Sequence, residues 1–136
     1  MGRILAIDYG KKRFGLAVTD PLKLIATGLR TVDAHELIPF LRQYLPLEGV
    51  ERIVVGDPRN LDGSATHASA LVAEGVRVLE KNFPDVPVTL LDERFTSRMA
   101  SAAILASGVS KTRRRDKALV DEVSATILLQ GYLQSV

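Results

Sequence analysis

The sequence contains no cysteine. It therefore has no disulfide framework, no thiol nucleophile and no cysteine-ligated zinc or iron–sulfur site. Tryptophan is also absent, and aromatic residues make up only 5% of the chain, which gives no indication of base-specific stacking. The two histidines, His35 and His67, do not form a ligand-spaced pair. Any catalytic chemistry is therefore expected from other side chains, such as carboxylates.

Long apolar runs are missing as well. No run is long enough to span a bilayer, and the first apolar run is too short for a signal peptide. We therefore expect a cytoplasmic protein without a membrane partner. The length of 136 residues predicts one domain over residues 1–136, large enough to bury a core without metal clips or disulfides.

The basic residues are distributed unevenly. The net charge is only +2, but residues 94–117 contain seven basic residues and one acid, about +6, which leaves about −4 for the remainder. Such segregation favours a polyanion such as nucleic acid as partner, although solvated, mobile loops are an alternative. The residues expected to contact a nucleic-acid backbone are Lys11, Lys12, Arg13, Arg94, Arg98, Arg113, Arg114, Arg115 and Lys117.

The hydrophobic pattern predicts an α/β protein. Strands are expected at residues 3–8, 14–19, 24–31, 52–56 and 88–91, and helices at 34–45, 66–83, 96–106 and 120–133. Asp33 is a plausible cap for the first helix, and Pro39 is expected to kink it. Three antiparallel strands followed by alternating helices and strands imply a mixed sheet covered on both faces.

Three carboxylates occupy positions that suggest a metal site. Asp8 closes the first strand, Glu93 follows the last strand, and Asp121 is expected in the first turn of the last helix. If the first and last strands are parallel, Asp8 and Glu93 emerge at one edge, within reach of Asp121. Converging carboxylates stay ionised only beside cations, and oxygen ligands suit Mg²⁺ or Mn²⁺, which support phosphodiester cleavage.

Each acid also has a structural explanation. Asp8 could start a turn before Gly10, Asp92 could cap a helix or pair with Arg94, and Asp121 could be a favourable charge at a helix N-terminus. These alternatives remain open from the spacing alone.

The segment over residues 56–64 is dense in turn residues and lies between a strand and a helix. Its glycines allow backbone N–H groups to approach a phosphate, and the following helix offers a positive N-terminus. Asn60 in this loop is accordingly a candidate for substrate binding. An ordinary connection between strand and helix is the alternative.

Four blocks together resemble the YqgF family, candidate Holliday junction resolvases related to RuvC that are also described as candidate pre-16S ribosomal RNA nucleases. The blocks cover residues 7–20, 54–64, 92–97 and 117–133. The resemblance implies a ribonuclease-H-like fold, a mixed five-stranded sheet flanked by helices. It also implies a metal-dependent nuclease in which Asp8, Glu93 and Asp121 bind Mg²⁺ or Mn²⁺.

The sequence departs from the family pattern at two positions. Asp57 stands where the family has an apolar residue, so it is either an extra acid near the site or a local turn residue. Ser124 stands where RuvC-type resolvases carry a further acid. The resemblance therefore implies that one metal ion is held less firmly than in those resolvases.

The expected function is hydrolysis of phosphodiester bonds in structured nucleic acid, at the 5′ end of pre-16S rRNA, in Holliday junctions, or in both. A junction resolvase cuts two strands symmetrically, which favours a homodimer. One alternative is a non-catalytic nucleic-acid-binding module. Another is an actin-like ATPase, since residues 8–10 also resemble a phosphate-binding turn, but such folds need two domains of this size.

Overall fold

The computed structural model describes residues 2–9, 13–57, 67–92 and 117–135. Their five strands are β1 (Arg3–Tyr9), β2 (Arg13–Thr19), β3 (Ala26–Asp33), β4 (Val50–Asp57) and β5 (Val88–Asp92). The helices of these residues are α1 (Leu37–Glu48), α2 (His67–Asn82) and α3 (Lys117–Ser135), and a 3₁₀ turn over Ala34–Glu36 precedes α1. Within this part of the chain, no helix is long and apolar enough to cross a membrane.

The strands form one mixed sheet in the order β3-β2-β1-β4-β5. β1 is antiparallel to β2, and β2 is antiparallel to β3, whereas β1–β4 and β4–β5 are parallel pairs. The predicted mixed five-stranded α/β architecture is therefore confirmed. Because β1 and β5 both run parallel to β4, they end at the same edge of the sheet, which we call the carboxyl edge.

The two faces of the sheet carry side chains of different size. On one face, small residues of the strands pack against α3; we call this the α3 face. Its buried members are Ile4, Ala6, Ala17, Ala26 and Val54 from the sheet, and Ala125, Leu128 and Leu129 from α3. The opposite face carries larger residues and is covered by α1 and α2. The alanines and glycines of this face let α3 lie close to the strands, and α3 approaches the sheet backbone at Gly15.

The first helix differs from its predicted range of 34–45. Residues 34–36 form a 3₁₀ turn, in which the Asp33 backbone N–H donates to the Glu36 carboxylate over 3.2 Å, and α1 runs from Leu37 to Glu48. Pro39 therefore falls in the first turn, where backbone N–H groups have no intrahelical partner. The physical reason for the predicted kink is thereby removed. Gly49 ends α1 with a left-handed φ of 65°.

The third strand begins two residues later than predicted because Asp20 organises the loop before it. Its carboxylate accepts backbone N–H groups from Leu22 at 3.2 Å and from Leu24 and Ile25 at 2.8 Å each. These hydrogen bonds hold residues 22–25 in the loop between β2 and β3, so β3 starts at Ala26. The helix predicted over 96–106 lies outside the described residues.

The last helix is longer than predicted. It begins at Lys117 and ends at Ser135, instead of running from 120 to 133. The remaining strands and α2 agree with the predicted ranges to within two residues.

Candidate active site

Asp8 lies one residue before the end of β1, at the carboxyl edge. Because side chains alternate along a strand, Asp8 shares its face with Ile4 and Ala6, which pack against α3. Across the hairpin, its Cα partner on β2 is Gly15. Asp8 is therefore placed at the edge of the sheet and on the side that α3 covers.

Asp121 is the fifth residue of α3 and lies in its second turn. The prediction of a first-turn position was wrong because the helix starts at Lys117. The effect of the helix dipole falls off within the first turn, so a favourable N-terminal charge no longer explains this acid well. Its side chain is half-buried, with 25% of its surface exposed.

Gly15 brings the two acids together. A Cβ atom added at Gly15 would overlap the backbone carbonyl of Asp121 and lie 3.0 Å from the backbone nitrogen of Glu122. The α3 backbone thus rests directly on the strand residue that is the cross-strand partner of Asp8. Gly15 is therefore adjacent to both acids, although Asp8 and Asp121 are more than one hundred positions apart in sequence.

The carboxylate of Asp121 is accompanied by a cation. Arg13 Nε lies 3.4 Å from Asp121 Oδ2, and the two side chains are 36% and 25% exposed. Arg13 begins β2 and shares the α3 face with Gly15 and Ala17 by strand alternation. Arg13, predicted to bind nucleic acid, is therefore also an ion-pair partner of a predicted metal ligand.

The residues at this edge fit a divalent metal ion. Asp8 and Asp121 supply oxygen donors on a sheet face otherwise made of small apolar residues, and Asp121 already attracts a cationic group. Hard cations such as Mg²⁺ and Mn²⁺ prefer such oxygen ligands. A second acidic group, formed by Asp33, His35 and Glu36, has ligand atoms within 4.8 Å of one another. It is exposed and belongs to the start of a helix, which explains it without an ion.

Asp57 does not share the α3 face with Asp8. It ends β4 and has the same parity as Ile53 and Val55, which belong to the core beneath α1 and α2. Its side chain is buried, with 8% exposed. Asp57 therefore lies at the same edge as Asp8 but on the opposite side of the sheet.

Ser124 lies one turn after Asp121, on the buried side of α3. It is 1% exposed, and its Oγ makes no hydrogen bond within the described residues. The resemblance to RuvC-type resolvases places an acid at this position. In this chain the helix instead carries a neutral hydroxyl that is removed from solvent, which is costly for a polar group.

Tyr9 and Gly75 were not singled out from the sequence. A Cβ atom at Gly75 would lie 2.5 Å from Tyr9 Cζ, and the rings of Tyr9 and Phe14 are 4.4 Å apart. Burial raises the pKa of Tyr9 to about 12, so its phenol is protonated at neutral pH and is not a base. Tyr9 lines an apolar pocket of about 250 Å³ between α1 and α2. The glycine within an otherwise regular helix was the available signal for this contact.

The side chains of the other predicted site residues lie outside what the structure describes. Lys117 begins α3, and nothing further is described for its side chain. The predicted residues outside the described ranges are Lys11, Lys12, Asn60, Glu93, Arg94, Arg98, Arg113, Arg114 and Arg115. Of the predicted set, the structure therefore brings together Asp8, Arg13 and Asp121.

A family model described as RuvX, Holliday junction resolvase, matches residues 2–135. The chain belongs to the RuvX family. A candidate pre-16S rRNA nuclease of Porphyromonas gingivalis is 56% identical over 135 residues, covering 99% of this chain and 98% of the relative. One of Christiangramia forsetii, described in the same way, is 51% identical over 133 residues, covering 98% of each chain.

Solved structures of RuvC share the fold of this RuvX protein. RuvC of Thermus thermophilus in complex with a Holliday junction substrate superposes with a TM-score of 0.57 and 16% identity, covering 99% of this chain and 95% of RuvC. A second Thermus thermophilus RuvC structure gives a TM-score of 0.55 and 15% identity, with 98% and 95% covered. The predicted ribonuclease-H-like fold is therefore confirmed. The YqgF resemblance is confirmed as well, because RuvX and YqgF are names of the same family. The predicted nuclease class is the one by which the family and these relatives are described.

Proposed function

We propose that this RuvX chain is a metal-dependent nuclease that hydrolyses phosphodiester bonds in structured nucleic acid. The observation that carries the proposal is that Gly15, at the carboxyl edge, pairs with Asp8 across the hairpin and lies against the backbone of Asp121. We take residues 1–136 as one nuclease domain that acts in the cytoplasm. Two acids held on the same side of this edge, one by a strand and one by a helix, can provide the oxygen ligands of a cation site.

The third ligand in this proposal is Glu93. Leu91, in β5, packs against the α3-face cluster, and Glu93 is two positions further along the chain. Because β5 ends at Asp92, the described strand brings the chain to the carboxyl edge directly before Glu93, which supports Glu93 as the companion of Asp8 and Asp121. When Mg²⁺ or Mn²⁺ is bound, it supplies activation of water and stabilisation of the leaving oxygen. The three carboxylates hold and orient that centre.

The basic residues supply the substrate contacts. Arg13 lies at the carboxyl edge, beside Asp121, so its guanidinium is within reach of a phosphate that approaches the acids. The planar guanidinium group of arginine can donate two parallel hydrogen bonds to the oxygens of a phosphate. We propose that the same backbone-binding role extends to Asn60 of the 56–64 loop and to the remaining basic residues, namely Lys11, Lys12, Arg94, Arg98, Arg113, Arg114, Arg115 and Lys117.

The proposed substrate is precursor 16S rRNA, cut at its 5′ end; the relatives at 51–56% identity, described as candidate pre-16S rRNA nucleases, support the choice of this RNA. A Holliday junction is the second candidate, because the family description names it. Both present bent, phosphate-dense backbones. Cleavage of a junction requires two symmetric cuts, so we propose a homodimer for that reaction. Light scattering of the protein with and without a four-way junction tests the dimer.

Side-by-side cleavage assays test the proposed function. Precursor 16S rRNA, a four-way DNA junction and single-stranded DNA are incubated with the protein and Mn²⁺. Asp8→Asn should abolish cleavage while its thermal unfolding stays cooperative. The matched control is Asp57→Asn, which changes a carboxylate at the same edge on the opposite face and should retain cleavage.

Two results would count against the proposal. Full activity of Asp8→Asn would show that the reaction does not require the pair of carboxylates. Binding of nucleic acid without cleavage of any substrate, with Mg²⁺ or Mn²⁺, would identify a non-catalytic binding module.

A further inference from the structure

We propose that Gly15 is a positioning residue whose missing side chain sets the distance between Asp8 and Asp121. The inference deepens the proposed function and rests on it, since it assumes that the two acids share a divalent ion. Gly15 is the cross-strand partner of Asp8 and simultaneously the residue on which the α3 backbone rests. One position therefore controls the approach of both acids.

The contact at Gly15 involves backbone atoms that cannot yield locally. An added Cβ would meet the carbonyl group of Asp121 and the nitrogen of Glu122, 3.0 Å away. Both atoms belong to the second turn of a 19-residue helix, where hydrogen bonds fix the backbone. A side chain at position 15 would therefore have to move this turn of α3 as a unit.

The remainder of α3 is anchored. Ala125, Leu128 and Leu129 are buried against the small residues of the sheet, including Ala6 and Ala17. A Cβ at position 15 would act near one end of the helix while this cluster holds the following turns. The expected consequence is a tilt that withdraws Asp121 from Asp8. A misplacement of about 1 Å is enough to cost roughly a hundredfold in catalysis.

Two other glycines provide a graded comparison. A Cβ at Gly28 would meet the Glu122 side chain, with Oε1 2.5 Å away, and that flexible carboxylate can move aside. A Cβ at Gly131, in α3, would meet no atom within 4 Å from any other part of the described chain. The predicted displacement of the Asp121 turn is therefore large at Gly15, small at Gly28 and absent at Gly131.

A purely structural glycine would lower stability without a specific effect on metal binding. If Gly15 is a positioning residue, a longer acidic side chain should restore the metal binding that is lost when Asp121 is withdrawn. In Gly15→Ala/Asp121→Glu, the added methylene extends the carboxylate towards Asp8 from the withdrawn helix. In the protein with Gly15 intact, Asp121→Glu should instead weaken metal binding.

The experiment measures the Kd for Mn²⁺ by isothermal titration calorimetry on the full chain, together with thermal unfolding. Gly15→Ala should weaken Mn²⁺ binding about tenfold or more, the range typical of residues that orient ligands. Gly131→Ala should leave the Kd unchanged, and Gly28→Ala should weaken it by a smaller factor than Gly15→Ala. The double variant should bind Mn²⁺ more tightly than Gly15→Ala.

An unchanged Kd in folded Gly15→Ala, or a double variant that binds no better than Gly15→Ala, would overturn the inference. If Gly15→Ala does not fold, the decision passes to Gly28→Ala, and an unchanged Kd there would also overturn it. Failure of the proposed function looks different, because the unaltered protein would then bind no Mn²⁺ or Asp8→Asn would bind it normally. If Asp8→Asn loses Mn²⁺ binding while Gly15→Ala keeps it, the proposed function stands and the inference about Gly15 is rejected.

Discussion

Arg13 and Asp121 are joined by an ion pair of 3.4 Å that links the first residue of β2 to the second turn of α3. Both side chains are partly exposed, and pairs of this kind contribute about 1 kcal/mol or less. Such a pair is weak enough for a phosphate to draw away the guanidinium, or for a divalent cation to draw away the carboxylate. The pair therefore connects the cation-binding and substrate-binding roles proposed for this edge.

Arg13→Ala should weaken binding of nucleic acid and reduce the steepness of its salt dependence, because one phosphate contact is lost. The same change should tighten Mn²⁺ binding by roughly threefold, since Asp121 loses a competing cation worth less than about 1 kcal/mol. Fluorescence anisotropy over a salt series measures the first effect, and calorimetry measures the second.

Arg13→Lys is the matched control because it keeps the positive charge. It should leave the Mn²⁺ affinity close to that of the unaltered protein. Weaker Mn²⁺ binding in Arg13→Ala would contradict the prediction and would show that Arg13 holds the Asp121 side chain in its binding orientation.

Gly75→Ala should destabilise the protein by about 1–3 kcal/mol, the usual cost of overpacking, despite the better helix propensity of alanine. The reason is the Tyr9 ring, whose Cζ would lie 2.5 Å from the new Cβ while Phe14 packs against the ring at 4.4 Å. Urea unfolding of the single and double variants with Tyr9→Ala measures the coupling between the two positions.

In the Tyr9→Ala background, Gly75→Ala should become neutral or stabilising, because nothing from Tyr9 remains to collide with. Gly131→Ala should raise stability by up to about 1 kcal/mol through helix propensity, because the new Cβ meets nothing within 4 Å among the described residues beyond its own helix. An equal cost of Gly75→Ala with and without the Tyr9 ring would rule out this contact as the cause.

Asp8 was identified from the sequence because it interrupts an apolar pattern at the end of a strand. The mixed sheet also followed from the alternation of strands and helices, whereas the parallel direction of β1 and β5 was only a condition, which their pairing with β4 fulfils. Such features repeat locally along the chain, so periodicity and turn residues are sufficient to place them. The acid at the strand end and the mixed sheet were accordingly predictable.

The contacts across the sheet were not predictable in the same way. Arg13 and Asp121 are 108 positions apart, and their pairing depends on how closely α3 lies on Gly15. The sequence did not show which helices cover the face of Asp57. Alternation along a strand assigns a residue to one of two faces, but only the packed structure shows which helix covers each face. The hydrophobic pattern of a strand therefore indicates which residues share a face, whereas tertiary packing decides which element covers that face.

Ser124→Ala should raise the free energy of unfolding by about 1 kcal/mol, since it removes a buried hydroxyl without a hydrogen bond in the described part of the chain. The gain includes a small contribution from helix propensity. Chemical denaturation measures it. Thr126→Val, in the same helix, removes a part-buried hydroxyl that donates to the Glu122 backbone carbonyl over 2.9 Å and should not produce this gain. A loss of stability in Ser124→Ala would show that its hydroxyl is satisfied.

Asp20→Asn should make stability less dependent on acid pH. The backbone N–H of Ile25, together with those of Leu24 and Leu22, holds the pKa of the Asp20 carboxyl below its ordinary value of 3.8. A lowered pKa in the folded state means that the charged form stabilises the fold fully above the ordinary value, and that this contribution is lost as the pH falls through the folded value. The asparagine variant keeps an acceptor oxygen but has no charge.

The variant should therefore be less stable than the unaltered protein at neutral pH, and the two should converge as the pH falls below about 3.8. Glu51, whose pKa is lowered by its hydrogen bond from Lys23, titrates in a neighbouring range, but it is present in both proteins and cancels from the difference. Urea unfolding at a series of pH values measures that difference. A gap in stability that stays constant from neutral to acid pH would contradict the role of the Asp20 charge in ordering the β2–β3 loop.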